Sequence, residues 1–331
     1  MTELRYNPLL GDWTMVATHR QNRPNMPKEG CPFCPGSGKV PEHYDVLKYD
    51  NDFPALMSDP PEADPVGSSL YKTAKAYGKC EVILYSPNHT TTLPELSVEH
   101  LEKLVDLWTE RFVALSQEPN HEYIMIFENR GEECGVTMPH PHGQIYAYSW
   151  IPLKIRTELE NCHTYYTSHG SCLICDMNQA ELEFQKRVIH ENEHFLAYIP
   201  FFTDYPYGLF IVSKNHKTAL SDFTQEERRS LALMLKCMTG AMDTLFHRLF
   251  PYMMVIHQRP VHGQTAQDYY HFHIEFYTPL RDEGKLKYYA SSEMGAWAPA
   301  NPQAVEETSD YLRKAFQDYL TKEGRIKECL D

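Results

Sequence analysis

The chain has 331 residues, of which 31 are Lys or Arg and 45 are Asp or Glu, so its formal net charge is −14. A hydrophobic content of 42% and a charged content of 23% are typical of globular proteins and argue against a disordered or fibrous one. The acidic balance argues against a general nucleic-acid or anionic-membrane binder, although it leaves room for a local basic pocket. This length accommodates one large domain or two of about 150 residues each.

Several features of the sequence predict a cytoplasmic protein. No apolar run reaches the ~18 residues of a transmembrane helix, and the opening MTELRYNPLLGDW lacks the apolar core of a secretory signal. Nine cysteines, an odd number, argue against a disulfide framework in a reducing compartment. Four of the nine form two C-x-x-C pairs, which therefore need another explanation.

The first half of the chain offers a C-x-x-C pair, a strand that ends at a histidine, an amphipathic helix and two further strands. In chain order these predicted elements occupy 31–34, 81–89, 98–116, 123–129 and 143–150. The helix is indicated by apolar residues that recur on one face, and Ser97 suits its N-cap. The last strand is introduced by the sequence HPHGQ.

The second half repeats this order of features. Its predicted elements are a C-x-x-C pair at 172–175, a strand at 208–216, a helix from 225, and strands at 252–257 and 271–277. Thr224 and Glu227 are spaced as a capping box for the helix. We therefore predict two copies of one α+β module, 1–165 and 166–331, related by a pseudo-twofold axis, with their strands in one large antiparallel sheet. A helix at 305–322 would be a C-terminal addition.

Each repeat supplies two cysteines and two histidines at spacings that suit a tetrahedral zinc ion. The two predicted sets are Cys31, Cys34, His89 and His140, and Cys172, Cys175, His216 and His271. Four protein ligands close the coordination shell, so both ions would be structural. The alternatives are incidental pairs of buried cysteines, or a thioredoxin-like redox pair, which Pro35 and Gly36 disfavour because that motif opens a helix.

The segment HPHGQ carries the chemistry that a reaction at phosphorus needs. In an extended segment, His140, His142 and Gln144 face the same side. If His140 binds zinc, His142 remains as a nucleophile, and a neutral imidazole attacks phosphorus well when its other nitrogen is held by an acceptor such as a backbone carbonyl. Gln144 can donate hydrogen bonds to a phosphoryl oxygen. The alternative is that His142 is only a polar residue in a metal-clamped turn.

HPHGQ, preceded by FENRG at 127–131, resembles the galactose-1-phosphate uridylyltransferase family of the histidine-triad superfamily. Further blocks extend the resemblance over most of the chain: NPLLGDW at 7–13, HRQNRP at 19–24, NDF at 51–53, SPNH at 86–89 and LPEL at 93–96. The resemblance implies two tandem histidine-triad-like modules in each chain and a homodimer of two such chains. It also implies exchange of UMP between UDP-glucose and galactose 1-phosphate, in galactose metabolism, by a ping-pong mechanism through a nucleotidyl-histidine.

The resemblance also assigns roles to individual residues. His142 would attack the α-phosphorus of UDP-glucose and expel glucose 1-phosphate, while Gln144 would hold the phosphoryl oxygens. The residues implied to bind nucleotide and phosphate are Arg20, Arg23, Asn51, Asp52, Phe53, Asn129 and Thr137. The hexose phosphate would be bound by Lys287, Tyr288 and Glu293, a block that often comes from the partner subunit of a dimer.

The sequence departs from part of the family at the second metal site, which in some members is built from a glutamate and three histidines. Glu158, His257 and His273 fall near the matching places, but Glu275 replaces the third histidine. We therefore expect zinc at the second cysteine pair, with iron as the alternative metal, and keep the mixed carboxylate–histidine site as the alternative location. We expect a structural role for His273.

Two other functions remain open from the sequence. One is an ADP-sugar or dinucleoside-polyphosphate phosphorylase or adenylyltransferase, which resembles the family in fold and in HPHGQ-like chemistry. The other is a zinc-stabilised nucleotide-binding module without activity. The hexose-phosphate block from Lys287 to Glu293 favours the uridylyltransferase.

Overall fold

The structure, a computed structural model, describes residues 2–22, 30–262, 266–322 and 329. The strands of the described residues are β1 (Thr2–Asn7), β2 (Asp12–Ala17), β3 (Leu47–Asp50), β4 (Thr73–Lys75), β5 (Gly78–Leu84), β6 (Tyr123–Arg130), β7 (His142–Tyr148), β8 (Val188–Glu191), β9 (Phe195–Tyr198), β10 (Phe210–Ser213), β11 (Tyr252–His257), β12 (His273–Tyr277), β13 (Leu280–Asp282) and β14 (Lys285–Leu286). The α-helices are α1 (Val98–Leu115), α2 (Leu153–His169), α3 (Leu173–Phe184), α4 (Gln225–Leu245), α5 (Ser291–Ala296) and α6 (Val305–Lys322).

Nine of these strands form one antiparallel sheet in the order β3-β5-β7-β6-β11-β12-β10-β9-β8. The strand order is symmetric about the β6–β11 pair. Strands β5, β7 and β6 on one side correspond to β10, β12 and β11 on the other. In each half the chain runs from an outer strand through a long helix into two neighbouring strands. The predicted α+β class and the paired modules in one sheet are therefore confirmed. The division into 1–165 and 166–331 stays a prediction, and α2 runs across it.

Helices α1, α4 and α6 cover one face of this sheet and build the main hydrophobic core. Trp108 of α1 is fully buried there, so truncating it to alanine would cost about 3–5 kcal/mol. Helices α4 and α6 approach closely at Gly240, where a Cβ atom would lie 2.3 Å from the Tyr319 ring. Among the described residues, no helix is both long enough and apolar enough to span a bilayer.

The helix boundaries agree closely with the sequence patterns. The Ser97 side chain accepts a hydrogen bond from the His100 amide at 3.2 Å, and the Thr224 side chain accepts one from the Glu227 amide at 3.2 Å. Both predicted caps are therefore confirmed. Helix α6 covers the predicted residues 305–322.

Two strand predictions were too long. The strands predicted at 81–89 and 208–216 end at Leu84 and Ser213. The histidines that close the predicted segments, His89 and His216, lie in the loops that follow. The backbone leaves the sheet there because each histidine side chain reaches the cysteine pair of its own module.

Two further features were not predicted. Strands β2, β1 and β4 form a separate three-stranded sheet at the N-terminus. A disulfide joins Cys237 of α4 to Cys329. The odd number of cysteines, which argued against disulfides, did not indicate this bridge. The remaining seven cysteines, including both C-x-x-C pairs, are not oxidised.

Candidate active site and metal centres

The first cluster brings Cys31, Cys34, His89 and His140 together, as the sequence predicts. His140 Nδ1 lies 3.7 Å from the Sγ atoms of both Cys31 and Cys34, and His89 Nδ1 lies 3.4 Å from Cys34 Sγ. Tetrahedral zinc with ordinary Zn–S and Zn–N bond lengths separates such ligand atoms by about 3.6 Å. The four side chains are therefore spaced to hold one tetrahedral cation.

The second cluster has the same geometry. Cys172, Cys175, His216 and His271 are gathered into one group. The Nδ1 atom of His271 lies 3.7 Å from Cys172 Sγ and 3.3 Å from Cys175 Sγ, while His216 Nδ1 lies 3.4 Å from Cys175 Sγ. This repetition makes incidental cysteine pairs a poor explanation of either cluster.

Backbone carbonyl groups orient the ligand histidines. The Nε2–H groups of His140 and His271 donate to the carbonyl oxygens of Ser86 and Ser213 at 2.7 and 2.8 Å. This fixes the tautomer that presents Nδ1 to a cation, the usual arrangement around a bound metal. Burial lowers the pKa of His140 to about 4, which keeps its ring in the neutral, ligating form. Burial and the adjacent Cys31 thiol raise the pKa of Cys34, so two thiolates here need a cation between them.

A third group combines Glu158, His257 and His273. In this group, His257 Nδ1 lies 2.9 Å from a Glu158 oxygen. Lys154 places its ammonium 2.5 Å from Glu275 and 3.7 Å from Glu158, so a side-chain cation already pairs with both carboxylates. His271 belongs to the second cysteine cluster and not to this group. The second cysteine pair therefore has a complete set of four donors, whereas the carboxylates near the mixed group are already paired with a lysine.

The reactive-histidine segment enters the sheet as β7. His142 is its first residue, and the ring Nδ1–H donates to the His140 carbonyl oxygen at 2.7 Å. The lone pair of the neutral ring therefore lies on Nε2. The Phe33 ring, from the loop of the first cluster, lies 5.8 Å from the His142 ring between centroids. The metal cluster and the proposed nucleophile thus belong to one packed unit.

Gly143 is required by its surroundings. A Cβ atom at this position would lie 2.2 Å from the Tyr85 hydroxyl and 3.0 Å from the Phe127 carbonyl oxygen. The glycine of HPHGQ therefore leaves space for a tyrosine directly beside the backbone of His142.

A cavity of about 230 Å³ opens at His142. Its wall includes Asn129, one of the predicted nucleotide-binding residues. Val136 and Met138 also line it, on either side of the predicted residue Thr137 in the chain. Gln144, Arg20 and Thr137 are not among the described residues that line it.

Gln144 and Arg20 lie on the same face of the sheet as His142. Gln144 is buried, opposite Val82 and Phe127 in the two neighbouring strands. The Arg20 guanidinium donates a hydrogen bond to the Tyr146 hydroxyl at 3.0 Å, two residues further along β7. Arg23 lies outside the described residues.

The NDF segment forms a local turn. The Asn51 side-chain oxygen accepts a hydrogen bond from the Phe53 amide at 2.9 Å. Asp52 accepts hydrogen bonds from Lys39 at 3.1 Å and from the Tyr49 hydroxyl at 2.9 Å. The structure does not place these three residues in the cavity wall at His142, as far as the described residues define that wall.

The predicted hexose-phosphate residues lie in the C-terminal half. Lys287 donates to the Asp204 carbonyl oxygen, Tyr288 is 75% exposed, and Glu293 caps α5 by accepting from the Ala290 amide at 3.1 Å. None of the three lines the described part of the cavity at His142.

Two contact residues were missed in the sequence. Tyr146 holds Arg20, and it could have been found because it continues the alternation of His142 and Gln144 along an extended segment. Phe33, inside the first C-x-x-C pair, packs on His142 across more than 100 residues of chain. No local pattern signals a contact of that kind.

The sequence matches the galactose-1-phosphate uridyl transferase family in two parts, the N-terminal domain over residues 1–152 and the C-terminal domain over residues 158–290. A galactose-1-phosphate uridylyltransferase of Thermotoga maritima is 41% identical to it, over 95% of this chain and 98% of that protein. A solved uridylyltransferase structure is 33% identical, with a TM-score of 0.88 over 96% of this chain and 99% of the other. An ADP-glucose phosphorylase from Arabidopsis thaliana shares the fold at 24% identity, with a TM-score of 0.74 over 95% and 99% of the two chains. The chain is therefore a member of the galactose-1-phosphate uridylyltransferase family.

Proposed function

We propose that the protein exchanges UMP between UDP-glucose and galactose 1-phosphate, in galactose metabolism, through a covalent uridylyl-His142 intermediate. The observation that carries the proposal is the hydrogen bond from His142 Nδ1 to the His140 carbonyl oxygen. This bond holds the ring in the tautomer whose Nε2 can attack phosphorus. Family membership supplies the substrates.

The reaction has two displacements at the same phosphorus. In the first, the Nε2 lone pair forms a bond to the α-phosphorus of UDP-glucose, and glucose 1-phosphate leaves with the electrons of the broken P–O bond. In the second, a phosphate oxygen of galactose 1-phosphate attacks that phosphorus and returns the electron pair to Nε2. The uridylylated ring carries positive charge, which the His140 carbonyl stabilises through Nδ1–H.

The neighbouring side chains are proposed to hold the phosphates and the nucleotide. Gln144 has no titratable group near neutral pH, so it acts by donating hydrogen bonds to phosphoryl oxygens. Asn129 and Thr137 are proposed to bind the nucleotide phosphates, with the base and ribose bound by the segment 51–53. Arg20 and Arg23 are proposed to offset the negative charge of the phosphates, because the net charge of −14 on the protein disfavours their binding.

Two zinc ions per chain are proposed, with iron as the alternative metal at the second cluster. Each ion would bind two thiolates and two imidazoles, which leaves no open position for a water molecule. When bound, zinc contributes folding free energy rather than Lewis-acid chemistry. The first cluster would fix His140, and therefore the carbonyl that orients His142.

Three further properties are proposed from the family. The protein would form a homodimer, in which Lys287, Tyr288 and Glu293 of one subunit bind the hexose phosphate at the other subunit's His142. It would be cytoplasmic, and it would bind neither nucleic acid nor membranes. Size measurement by light scattering tests the dimer directly.

A second candidate function is an ADP-sugar phosphorylase or a related adenylyltransferase. The observation that favours it is the shared fold with the Arabidopsis thaliana ADP-glucose phosphorylase. The two candidate functions differ in the nucleotide that would be transferred to His142. Comparing ADP-glucose with UDP-glucose as the donor therefore separates them, and a binding module without activity would use neither.

The exchange assay has a matched control within the chain. His273 donates from Nδ1 to the His271 carbonyl oxygen at 2.9 Å, which reproduces the local geometry of His142 in the second module. We expect His142→Ala to abolish exchange between UDP-glucose and galactose 1-phosphate while both metal ions stay bound. His273→Ala should retain exchange, and equal loss in both variants would contradict the assignment of His142.

A further inference from the structure

A buried polar cluster lies behind the reactive strand, on the helix-covered face of the sheet. It contains Tyr85, Glu128 and Tyr252, all of which are buried. The Tyr252 hydroxyl donates to one Glu128 oxygen at 3.3 Å. The Tyr85 hydroxyl and the other Glu128 oxygen are fully buried and lack hydrogen bonds of regular geometry to the described residues. Such groups are costly in a core, so their retention calls for an explanation.

This cluster contacts the backbone on both sides of His142. The Tyr85 amide donates to the Pro141 carbonyl oxygen at 3.0 Å, and the Tyr85 hydroxyl occupies the space that a side chain at Gly143 would take. Glu128 approaches Gly143 from the neighbouring strand. In the antiparallel pair of β6 and β7, Phe127 is opposite Gln144, so the next residue of β6, Glu128, lies beside Gly143. Both Tyr85 and Glu128 line the cavity that opens at His142.

We propose that Tyr85 and Glu128 are positioning residues for His142. Tyr85 fixes the backbone from Pro141 to Gly143, and Glu128 fixes the Tyr85 hydroxyl by accepting its hydrogen bond as an anion. This arrangement sets the direction of the His142 ring relative to the phosphorus. The inference rests on the proposed function, since it concerns the rate of transfer to His142.

The surroundings of Glu128 set its pKa near neutral pH, so its carboxyl group ionises within the range in which the protein is assayed. Several titratable or charged groups face it. They are Arg130 on the same strand, Tyr252 on β11, Tyr85 after β5, Asp243 on α4 and Cys134 in the loop after β6. Burial raises the pKa of Glu128 to about 7, and the Arg130 guanidinium is the main opposing influence. Arg130 is itself held by two hydrogen bonds to Asp243 at 2.8 and 2.6 Å. The anionic form of Glu128, whose two oxygens can accept from both tyrosine hydroxyls, therefore increases as the pH rises through 7.

The test measures the single-turnover rate of nucleotide transfer from UDP-glucose to the protein between pH 6 and 8. The variants are Tyr85→Phe and Glu128→Gln, with Tyr198→Phe as the control. Tyr198 is a fully buried tyrosine whose hydroxyl also lacks a described hydrogen-bond partner, but it belongs to another core cluster. Zinc content and the affinity for UDP-glucose are measured on the same samples.

We expect Tyr85→Phe to slow transfer about 10-fold, with zinc content and UDP-glucose affinity unchanged, whereas Tyr198→Phe transfers at the wild-type rate. Because His142 must also be neutral to react, the informative quantity for Glu128→Gln is the ratio of wild-type to variant rate. That ratio should rise severalfold from pH 6 to pH 8.

A constant ratio, together with a normal rate in Tyr85→Phe, would overturn the inference. A loss that only follows zinc content or the folded fraction would also overturn it, because it would show a purely structural role. If the wild-type protein itself forms no adduct with UDP-glucose, the proposed function fails instead. The two failures are therefore distinguishable.

Discussion

The ring of His142 donates a hydrogen bond from Nδ1 to the backbone carbonyl oxygen of His140 at 2.7 Å. The proposed metal ligand and the proposed nucleophile are thus separated by one proline and joined by one hydrogen bond. The second module repeats the bond between His273 and His271. It lacks a glutamine two residues on, however, and Glu275 there pairs with Lys154. The same local geometry therefore occurs in both modules, and only the first combines it with a glutamine two residues further along the chain.

The metal clusters predict a specific pattern of metal loss. Cys34→Ser and Cys175→Ser should each remove one metal ion per chain and lower the melting temperature, because structural metal binding contributes folding free energy. His142→Ala should keep both ions. Elemental analysis of the purified variants checks this. A loss of metal in His142→Ala would contradict the assignment of His140 as the ligand and His142 as the nucleophile.

Gln144 is predicted to act on the transition state. Gln144→Ala should lower the transfer rate about 100-fold, the usual effect of removing one donor to a developing oxyanion. Metal content should not change, because Gln144 belongs to neither cluster. Rapid-quench kinetics measures the effect, and a variant with the wild-type rate would exclude Gln144 from the reaction.

Gly143 is predicted to be intolerant of even a methyl group. Gly143→Ala should destabilise the protein by about 1–3 kcal/mol, since the added carbon overlaps the Tyr85 hydroxyl. Adding Tyr85→Phe should recover only part of this free energy of unfolding, because the ring carbon and the Phe127 carbonyl remain at 3.0 Å. Denaturant unfolding of the single and double variants checks the coupling, and strictly additive effects would contradict it.

Glu128 predicts a pH dependence of stability. Its folded-state pKa of about 7 lies above the usual carboxyl value, so the folded protein binds the extra proton and loses stability as the pH rises toward 7. Glu128→Gln removes this dependence. The free energy of unfolding of the variant, minus that of the wild type, should rise by about 1 kcal/mol from pH 6 to pH 8. A difference that stays constant with pH would show that Glu128 titrates normally.

The Cys237–Cys329 disulfide predicts a stability that depends on reductant. Reduction should lower the free energy of unfolding by about 2–5 kcal/mol, because the bridge closes a loop with a sequence separation of 92 residues. Cys237→Ala serves as the control, since its melting temperature should no longer respond to reductant. Reductant should leave the metal content unchanged in both proteins, as neither bridge cysteine belongs to a metal cluster.

The repeated motifs allowed much of the fold to be predicted. Two C-x-x-C pairs with matching downstream histidines indicated the two clusters, and alternation along HPHGQ placed His142 and Gln144 on one face of β7. The alternation is a local pattern, whereas the clusters join residues as far as 109 positions apart and were found because the second half repeats the order of the first. The α+β class followed from the repeat of strand, helix and two strands in both halves.

Contacts between distant segments could not be predicted. The cluster of Tyr85, Glu128 and Tyr252 joins the segment after β5 to strands β6 and β11, and the disulfide depends on how Cys329 lies against α4. Each is a single residue without a repeating pattern, so only the packed core reveals its partner. The strand ends at Leu84 and Ser213 were missed for a related reason. The histidines that follow these strands contact cysteines that are distant in the sequence.

The measurement that tests the central proposal most directly is the intact mass of the protein after incubation with UDP-glucose alone. We expect one UMP bound per chain in the wild-type protein and in His273→Ala, and none in His142→Ala. An adduct with ADP-glucose in place of UDP-glucose would indicate the phosphorylase function. An adduct that persists in His142→Ala, or no adduct with either nucleotide sugar, would contradict the proposed uridylyl-His142 mechanism.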